Sequence, residues 1–424
     1  MIINKFINEL NNGNFDEKLE MFYGTKEKHR QITRYLTAVK RFAEIYPSRD
    51  EIHIYSAPGR TEIGGNHTDH QHGCVIAAAV NLDVIGVVSF HDEKVIRIKS
   101  EGYKAIEILL EDMNVHEEKS GSSEIVRGIA AKFTEMGVNI GGFDMYTTSD
   151  VIGGSGISSS AAFETLVASS INYYYNQGQT NEVEIAKIGQ FAENAYFGKK
   201  SGLMDQMVSS VGGLVFIDFE NIKNPEIEKI DFDLSKTNYE IVITDTKGSH
   251  SQLTDEYVAI RTEMESVAGF FGEKVLRDVN EDYFWKKISE IRRIISDRAV
   301  LRAAHFFAEN DRAKKECQCL KKNDFAGFLS LVRQSGESSM NLLQNIYSSK
   351  NPIKQEISVG IMLGKRILKE NGAVRVHGGG FAGTIQAFVP KNLLGIYIDT
   401  MNSVYGSDSC YVLSIRPVGG VEIV

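Results

Sequence analysis

Apolar residues recur at helical spacing over 27–46, where Ile32, Tyr35, Leu36, Val39, Phe42, Ala43 and Tyr46 share a face. The pattern predicts an amphipathic helix stopped by Pro47. A short strand over 51–56 runs into Ala57-Pro58-Gly59. The apolar runs 75–80 and 84–90 predict two strands paired about Asn81-Leu82-Asp83, with further strands over 95–99 and 105–110. A helix over 122–136 closes at Gly137, and a strand over 142–148 leads into a glycine–serine run at 153–160. Helices over 158–175 and 182–196 follow; Asn181 caps the second, with Glu184 placed to return the hydrogen bond. After a strand over 213–219, the polar stretch 221–229 with Pro225 marks the expected boundary, dividing the chain into 1–220 and 221–424. The second half reads as a strand (240–245), helices (254–270, 282–309, 322–346, 353–370), strands (373–377, 384–389), a helix and a last strand (410–416). Strands and helices mix in both halves without regular βαβ alternation, so the expected class is α+β.

The length, 424 residues, exceeds what one core usually organises, and two domains are expected. Lys and Arg number 47 against 56 Asp and Glu, a net charge of −9. That balance argues against a nucleic-acid binder or a partner of anionic membrane, both of which reward a basic surplus. Cys74, Cys317, Cys319 and Cys410 fit neither a zinc knuckle nor a redox pair and are expected to be reduced thiols. The first residues lack the apolar core and cleavage site of a secretory signal. The most apolar stretch, 74–90, is broken by Asn81 and Asp83 and cannot span a bilayer. A cytoplasmic protein is expected, monomeric or weakly self-associating.

Chemistry concentrates in four places. Residues 57–73 pack Arg60, Glu62, Asn66, His67, Asp69, His70 and His72 among four glycines, a cluster suited to a small ligand with many hydroxyls. The histidines could instead hold a metal, although their spacing fits no familiar ligand pair. Residues 153–162, Gly-Gly-Ser-Gly-Ile-Ser-Ser-Ser-Ala-Ala, join a strand to a helix start, where unpaired amides and the helix dipole favour phosphate. No GxxxxGK[ST] and no protein-kinase signature occurs. Residues 378–383 spell GxGxxG, but a strand follows rather than a helix, so a dinucleotide site fails on context and a tight strand–loop–strand crossing fits better. Finally, Asp205 sits beside apolar Leu203, Met204 and Met207.

In this order, Pro58-Gly59-Arg60 with Gly64-Gly65-Asn66-His67-Thr68-Asp69, the run 154–161 and the run 378–383 resemble the galactokinase branch of the galacto-, homoserine, mevalonate and phosphomevalonate kinases (GHMP kinases). Asp255 to Arg261 and the tail 415–420 are family-like too. The resemblance implies two α+β domains with the active site in the cleft between them, and ATP-dependent phosphorylation of galactose at its anomeric hydroxyl. It makes Asp205 the catalytic carboxylate, with Arg60 beside it. Asn66, His67, Thr68, Asp69 and Tyr257 would face the sugar. Gly154, Ser155, Gly156, Ile157, Ser158, Ser159 and Ser160 would wrap the ATP phosphates, and Ser160 and Glu193 would hold Mg²⁺.

Three positions depart from the family pattern: Asn66 stands for a glutamate, His70 for a tyrosine and Ile152 for a proline. Loss of a carboxylate at 66 opens a uronic acid, galacturonate, as an alternative substrate, and N-acetylgalactosamine is a second related sugar. A sugar-sensing regulator on the same scaffold and a metal-dependent hydrolase are the readings from other classes.

Overall fold

The structure, a computed structural model, describes residues 1–116, 121–151, 156–199, 201–249 and 253–424. Three helices, α1 (Ile3–Asn11), α2 (Asp16–Tyr23) and α3 (Lys28–Ile45), precede β1 (His53–Gly64) and β2 (Cys74–His91). Then come β3 (Val95–Ser100), β4 (Ile106–Leu109), α4 (Ser122–Glu135), β5 (Gly142–Ser149), α5 (Ser159–Tyr175), α6 (Glu182–Phe191), α7 (Met204–Val211), β6 (Leu214–Asp218) and β7 (Glu226–Lys229). The remainder is β8 (Tyr239–Asp245), α8 (Thr254–Phe270), α9 (Glu281–Ile294), α10 (Asp297–Lys321), α11 (Phe325–Ser338), α12 (Glu356–Leu368), β9 (Ala373–Val376), β10 (Thr384–Pro390), α13 (Leu394–Tyr405), β11 (Cys410–Leu413) and β12 (Val421–Glu422).

These strands form two sheets. One runs β12-β1-β2-β5-β3-β4, with β6 on β2 and β7 on β6; the other runs β11-β8-β10-β9. Among the described residues only β3 and β5 pair in parallel, the other pairs being antiparallel. That is an α+β arrangement, as the sequence predicts. The boundary at 220/221 does not follow the sheets, because β7 continues the first sheet to Lys229 and β12 returns to pair with β1.

The runs 75–80 and 84–90 are not a hairpin. They are one 18-residue strand, β2, whose first part pairs with β6 and whose second part pairs with β5. The polar residues at its middle are satisfied from far along the chain. Asn81 Oδ1 accepts from the Ser414 amide at 2.9 Å. Asp83, fully buried, accepts from Tyr23 Oη at 2.5 Å, Arg34 Nη1 at 2.6 Å and Arg416 Nη1 at 3.0 Å, and from Ser56 Oγ. Burial alone would push the Asp83 carboxyl up, but Arg34 and Arg416 outweigh it and hold it below the usual carboxylate range.

The helix expected over 282–309 is two helices, broken where Ser296 caps α10 by accepting from the Ala299 amide at 3.0 Å. Asn181 caps α6 through the Glu184 amide. The Glu184 carboxylate is bound by Lys187 at 2.8 Å and returns no bond. The helix expected over 182–196 changes at its end into a π turn over Ala192–Phe197, a distortion often found at functional sites. Among the described residues no helix is long and apolar enough to cross a membrane, and the four cysteines are unpaired.

Candidate active site

Strand β1 carries Arg60 at a bulge in its pairing with β2. The Arg60 side chain crosses to α7 and meets Asp205 in its first turn, Nε to Oδ1 at 2.7 Å and Nη2 to Oδ2 at 2.8 Å. This two-pronged pairing fixes both the position and the charge of the carboxylate. Burial would raise the Asp205 carboxyl. Arg60, then the Ser158 hydroxyl and the charge of Lys199, outweigh burial and hold it below the ordinary value. The side chain keeps 32% exposure, so an ionised oxygen pair faces the adjoining cavity.

Arg60 also anchors the glycine–serine run. Its amide donates to the Ile157 carbonyl at 3.0 Å, and Nη1 donates to the Gly156 carbonyl. The approach is close enough that a Cβ on Gly59 would lie 2.7 Å from the Ile157 oxygen, so Gly59 permits the contact. Ser158, at φ +60°, makes no cap for α5 and donates to Asp205 instead. A capping serine would occupy amides of the first turn; here α5 begins without one, and Ser158, Ser159 and Ser160 stay partly exposed. Gly154 and Ser155 lie outside the described residues.

Beside this pair opens a cavity of about 420 Å³, lined by Arg60, Glu62, His67, Asp69 and Asp205 from the first-sheet side and by Tyr257, Gly378 and Gly379 from the second. The run 378–383 is indeed a strand–loop–strand crossing between β9 and β10. His67 Nε2 donates to the Gly379 carbonyl at 3.0 Å and Tyr257 Oη to the Gly380 carbonyl at 2.9 Å. A Cβ on Gly379 would come within 2.7 Å of the Tyr257 ring.

Two expected sugar contacts are turned away from this space. Asn66 is fully buried: Nδ2 donates to Glu62 Oε1 at 3.0 Å and the Gly378 carbonyl at 2.8 Å, while Oδ1 accepts from Asn345 at 3.0 Å. Thr68, equally buried, lies 2.6 Å from the Cys74 carbonyl. Both stitch the loop into the protein, and only His67 and Asp69 of the four-residue run line the cavity. The histidines do not converge on a metal, and among the described residues no group of three or more His, Cys, Asp or Glu forms a ligand set.

Glu193, on the π turn, reaches the cavity from another side. Its Oε1 accepts from Lys199 at 2.7 Å and its Oε2 from Gln206 at 3.0 Å. The same Gln206 nitrogen donates to Glu164 Oε2 at 3.0 Å. Burial and the Glu193 charge push Glu164 up to about 8, so one carboxylate of this pair holds its proton at neutral pH. Lys199 and Gln206 lie outside the residues the sequence singles out, while Glu62 and the glycines 378–379 belong to two of its motifs and carry no assigned role there. A lone lysine in a loop or glutamine on a helix carries no spacing signal, and only the fold brings these together.

Residues 40–90 match the galactokinase galactose-binding signature, and residues 124–213 match the N-terminal domain of GHMP kinases. A galactokinase of Glaesserella parasuis serovar 5 (strain SH0165) is 32% identical over 343 residues, covering 79% of this chain and 84% of that protein. The chain belongs to the galactokinase family. A second galactokinase, from Clostridium tetani (strain Massachusetts / E88), is 27% identical over 369 residues, 86% of this chain and 91% of that one. The fold agrees: Lactococcus lactis galactokinase complexed with galactose superposes with a TM-score of 0.76 at 22% identity, over 90% of this chain and 98% of that one. A mevalonate kinase superposes at 0.58 and 16% identity, over 85% of this chain and 98% of that one. The galactose-binding signature spans β1, β2 and the loop between them, and so contains Arg60, His67 and Asp69. The GHMP region runs from α4 to α7 and contains the α5 start, Glu193 and Asp205.

The Arg60–Asp205 pair gives a first expected result. Arg60→Met removes the charge that holds Asp205 down, so the acid limb of the kcat/KM profile should move to higher pH. The rate at neutral pH should fall by about 10²-fold. A pH–rate profile with an unmoved acid limb would show that the guanidinium does not tune this carboxylate.

Proposed function

We propose that this protein is a galactokinase that transfers the terminal phosphoryl group of ATP to the anomeric hydroxyl of galactose. The observation that carries the reading is Asp205, ionised, paired through two hydrogen bonds to Arg60 and exposed to a polar cavity beside the start of α5. Asp205 takes the proton of the anomeric hydroxyl as its oxygen bonds to the γ-phosphorus, and the bond to the β–γ bridging oxygen breaks to release ADP. Phosphoryl transfer asks the protein mainly for positioning and charge stabilisation. Arg60 and the amides that open α5 supply both. His67, Asp69 and Tyr257 line the space for the sugar.

Magnesium is expected to accompany the nucleotide. The residues fit it: Glu193 presents a carboxylate that already takes a cation, Lys199 at 2.7 Å, with its second oxygen fixed by Gln206. Ser160 offers a hydroxyl at the helix start, and hard oxygens in small number suit an ion that keeps water and phosphate ligands. When bound, the ion neutralises phosphate charge. We further place the protein in the cytoplasm, as a monomer or weak homo-oligomer.

The test is ADP release with MgATP and galactose, 2-deoxygalactose or N-acetylgalactosamine. Galactose-dependent ADP release is expected. A protein that binds galactose and releases no ADP with any galacto-configured sugar would be a sensor, and the proposal would fall.

A further inference from the structure

Glu62 is a buried carboxylate, 5% exposed, that nevertheless lines the cavity. Its Oε1 is fully committed. Asn66 Nδ2 donates to it at 3.0 Å, and the wholly buried Arg375 of β9 donates to it from Nη1 and Nη2, both at 3.2 Å. The other oxygen, Oε2, makes no hydrogen bond among the described residues and is the atom left for the cavity. Arg375 also donates to the Glu62 carbonyl at 2.8 Å, as does Gln386 Nε2 at 2.8 Å, so the segment that carries Oε2 is held from both side chain and backbone.

The rest of the lining gives this oxygen its meaning. Arg60 is spent on Asp205 and Lys199 on Glu193. Arg375 lies behind Glu62 and does not line the space. Among the described residues the arginine and the lysine that line the cavity therefore each already have a carboxylate, while Glu62 and Asp69 remain as acceptors. Such a cavity offers hydrogen-bond acceptors to hydroxyl groups and, among the described residues, no unpaired arginine or lysine to a carboxylate. Asn66, which lacks the acidic oxygen of the family pattern, does not make the cavity neutral, because it hands its amide to a carboxylate four residues earlier.

From this we infer that Glu62 Oε2 is a specificity-determining contact, accepting a hydrogen bond from a hydroxyl of a neutral hexose and excluding the corresponding uronic acid. The inference rests on the sugar-kinase reading of the same cavity and narrows its substrate class. A buried acceptor left facing a like charge discriminates strongly, since neither group then finds a partner.

The experiment measures kcat and KM for galactose and galacturonate in the wild type, Glu62→Gln and the double variant Glu62→Gln/Arg375→Gln. The double variant removes both charges of the pair, so it serves where the single change leaves Arg375 buried alone and unfolds the protein. The wild type should prefer galactose by about 10²-fold or more in kcat/KM. Either folded variant should narrow that preference by about tenfold, through a higher galactose KM with kcat within about twofold. A wild type that uses galacturonate within tenfold of galactose overturns the inference, whatever the variants do. So does a folded variant with the wild-type preference. Absence of galactose phosphorylation in the wild type is a different failure, that of the sugar-kinase reading itself.

Discussion

Asp205→Asn should lower kcat for galactose by about 10³-fold while leaving galactose affinity within about threefold. Asparagine keeps the shape of the side chain and an oxygen for Arg60 or Ser158, so the walls of the cavity stay in place. It cannot take a proton, and it removes the negative charge that Arg60 balances. The loss therefore falls on the chemical step. Single-turnover kinetics give the rate, and calorimetric titration of galactose gives the affinity. The two should separate cleanly; a parallel fall in both would make Asp205 a binding or structural group. The neighbouring Glu164, Gln206 and Glu193 cannot substitute, because they are tied to one another and to Lys199.

The second large effect is on stability. Asp83→Ala should cost about 3–5 kcal/mol, the range for removing one partner of a buried ion pair. It would leave the guanidinium of Arg416 facing no carboxylate, and Arg34 with Asp150 alone at 3.2 Å, in a region where Asp83 and Arg416 are fully buried. The cluster joins α2 and α3, β1, β2 and the segment leading to β12, so its loss loosens the platform that carries Arg60. The carboxyl is depressed in the folded state. Its contribution is therefore fully present above the unfolded value of about 4 and is lost as pH falls through the lower folded value. Urea unfolding of the wild type should weaken below about pH 4, and Asp83→Ala should weaken less over the same range. A variant as stable as the wild type at neutral pH would show the cluster to be energetically neutral.

The sequence made much of this site legible, and its limits have physical causes. Helix 254–270 is found as Thr254–Phe270, where period and ends agree. The carboxylate at 205, the arginine at 60 and the run 156–160 meet as their motifs imply, because glycines and a helix start constrain local geometry tightly. The run 66–69 was less legible. Its residues divide by which way the side chain points, and with His67 at φ +60° the chain turns so that His67 and Asp69 reach the cavity while Asn66 and Thr68 enter the interior. The break at Ser296 is marked by no proline or glycine within 282–309, so the pattern reads as one helix across it. The continuity of β2 depended on Ser414 and Arg416, more than 300 residues away, a relation that no local pattern encodes. Glu62 stands among the polar residues of 57–73, but its partner Arg375 lies on the other sheet, so its role cannot be read from spacing.

The most direct measurement of the central claim is phosphorus NMR of a reaction mixture containing the protein, MgATP and galactose. The expected result is a new phosphate-ester resonance coupled to the anomeric proton of the sugar, growing as ADP appears. A spectrum in which galactose stays unphosphorylated, or in which the phosphate couples to another carbon's protons, would contradict the assignment of Asp205 as acceptor of the anomeric proton.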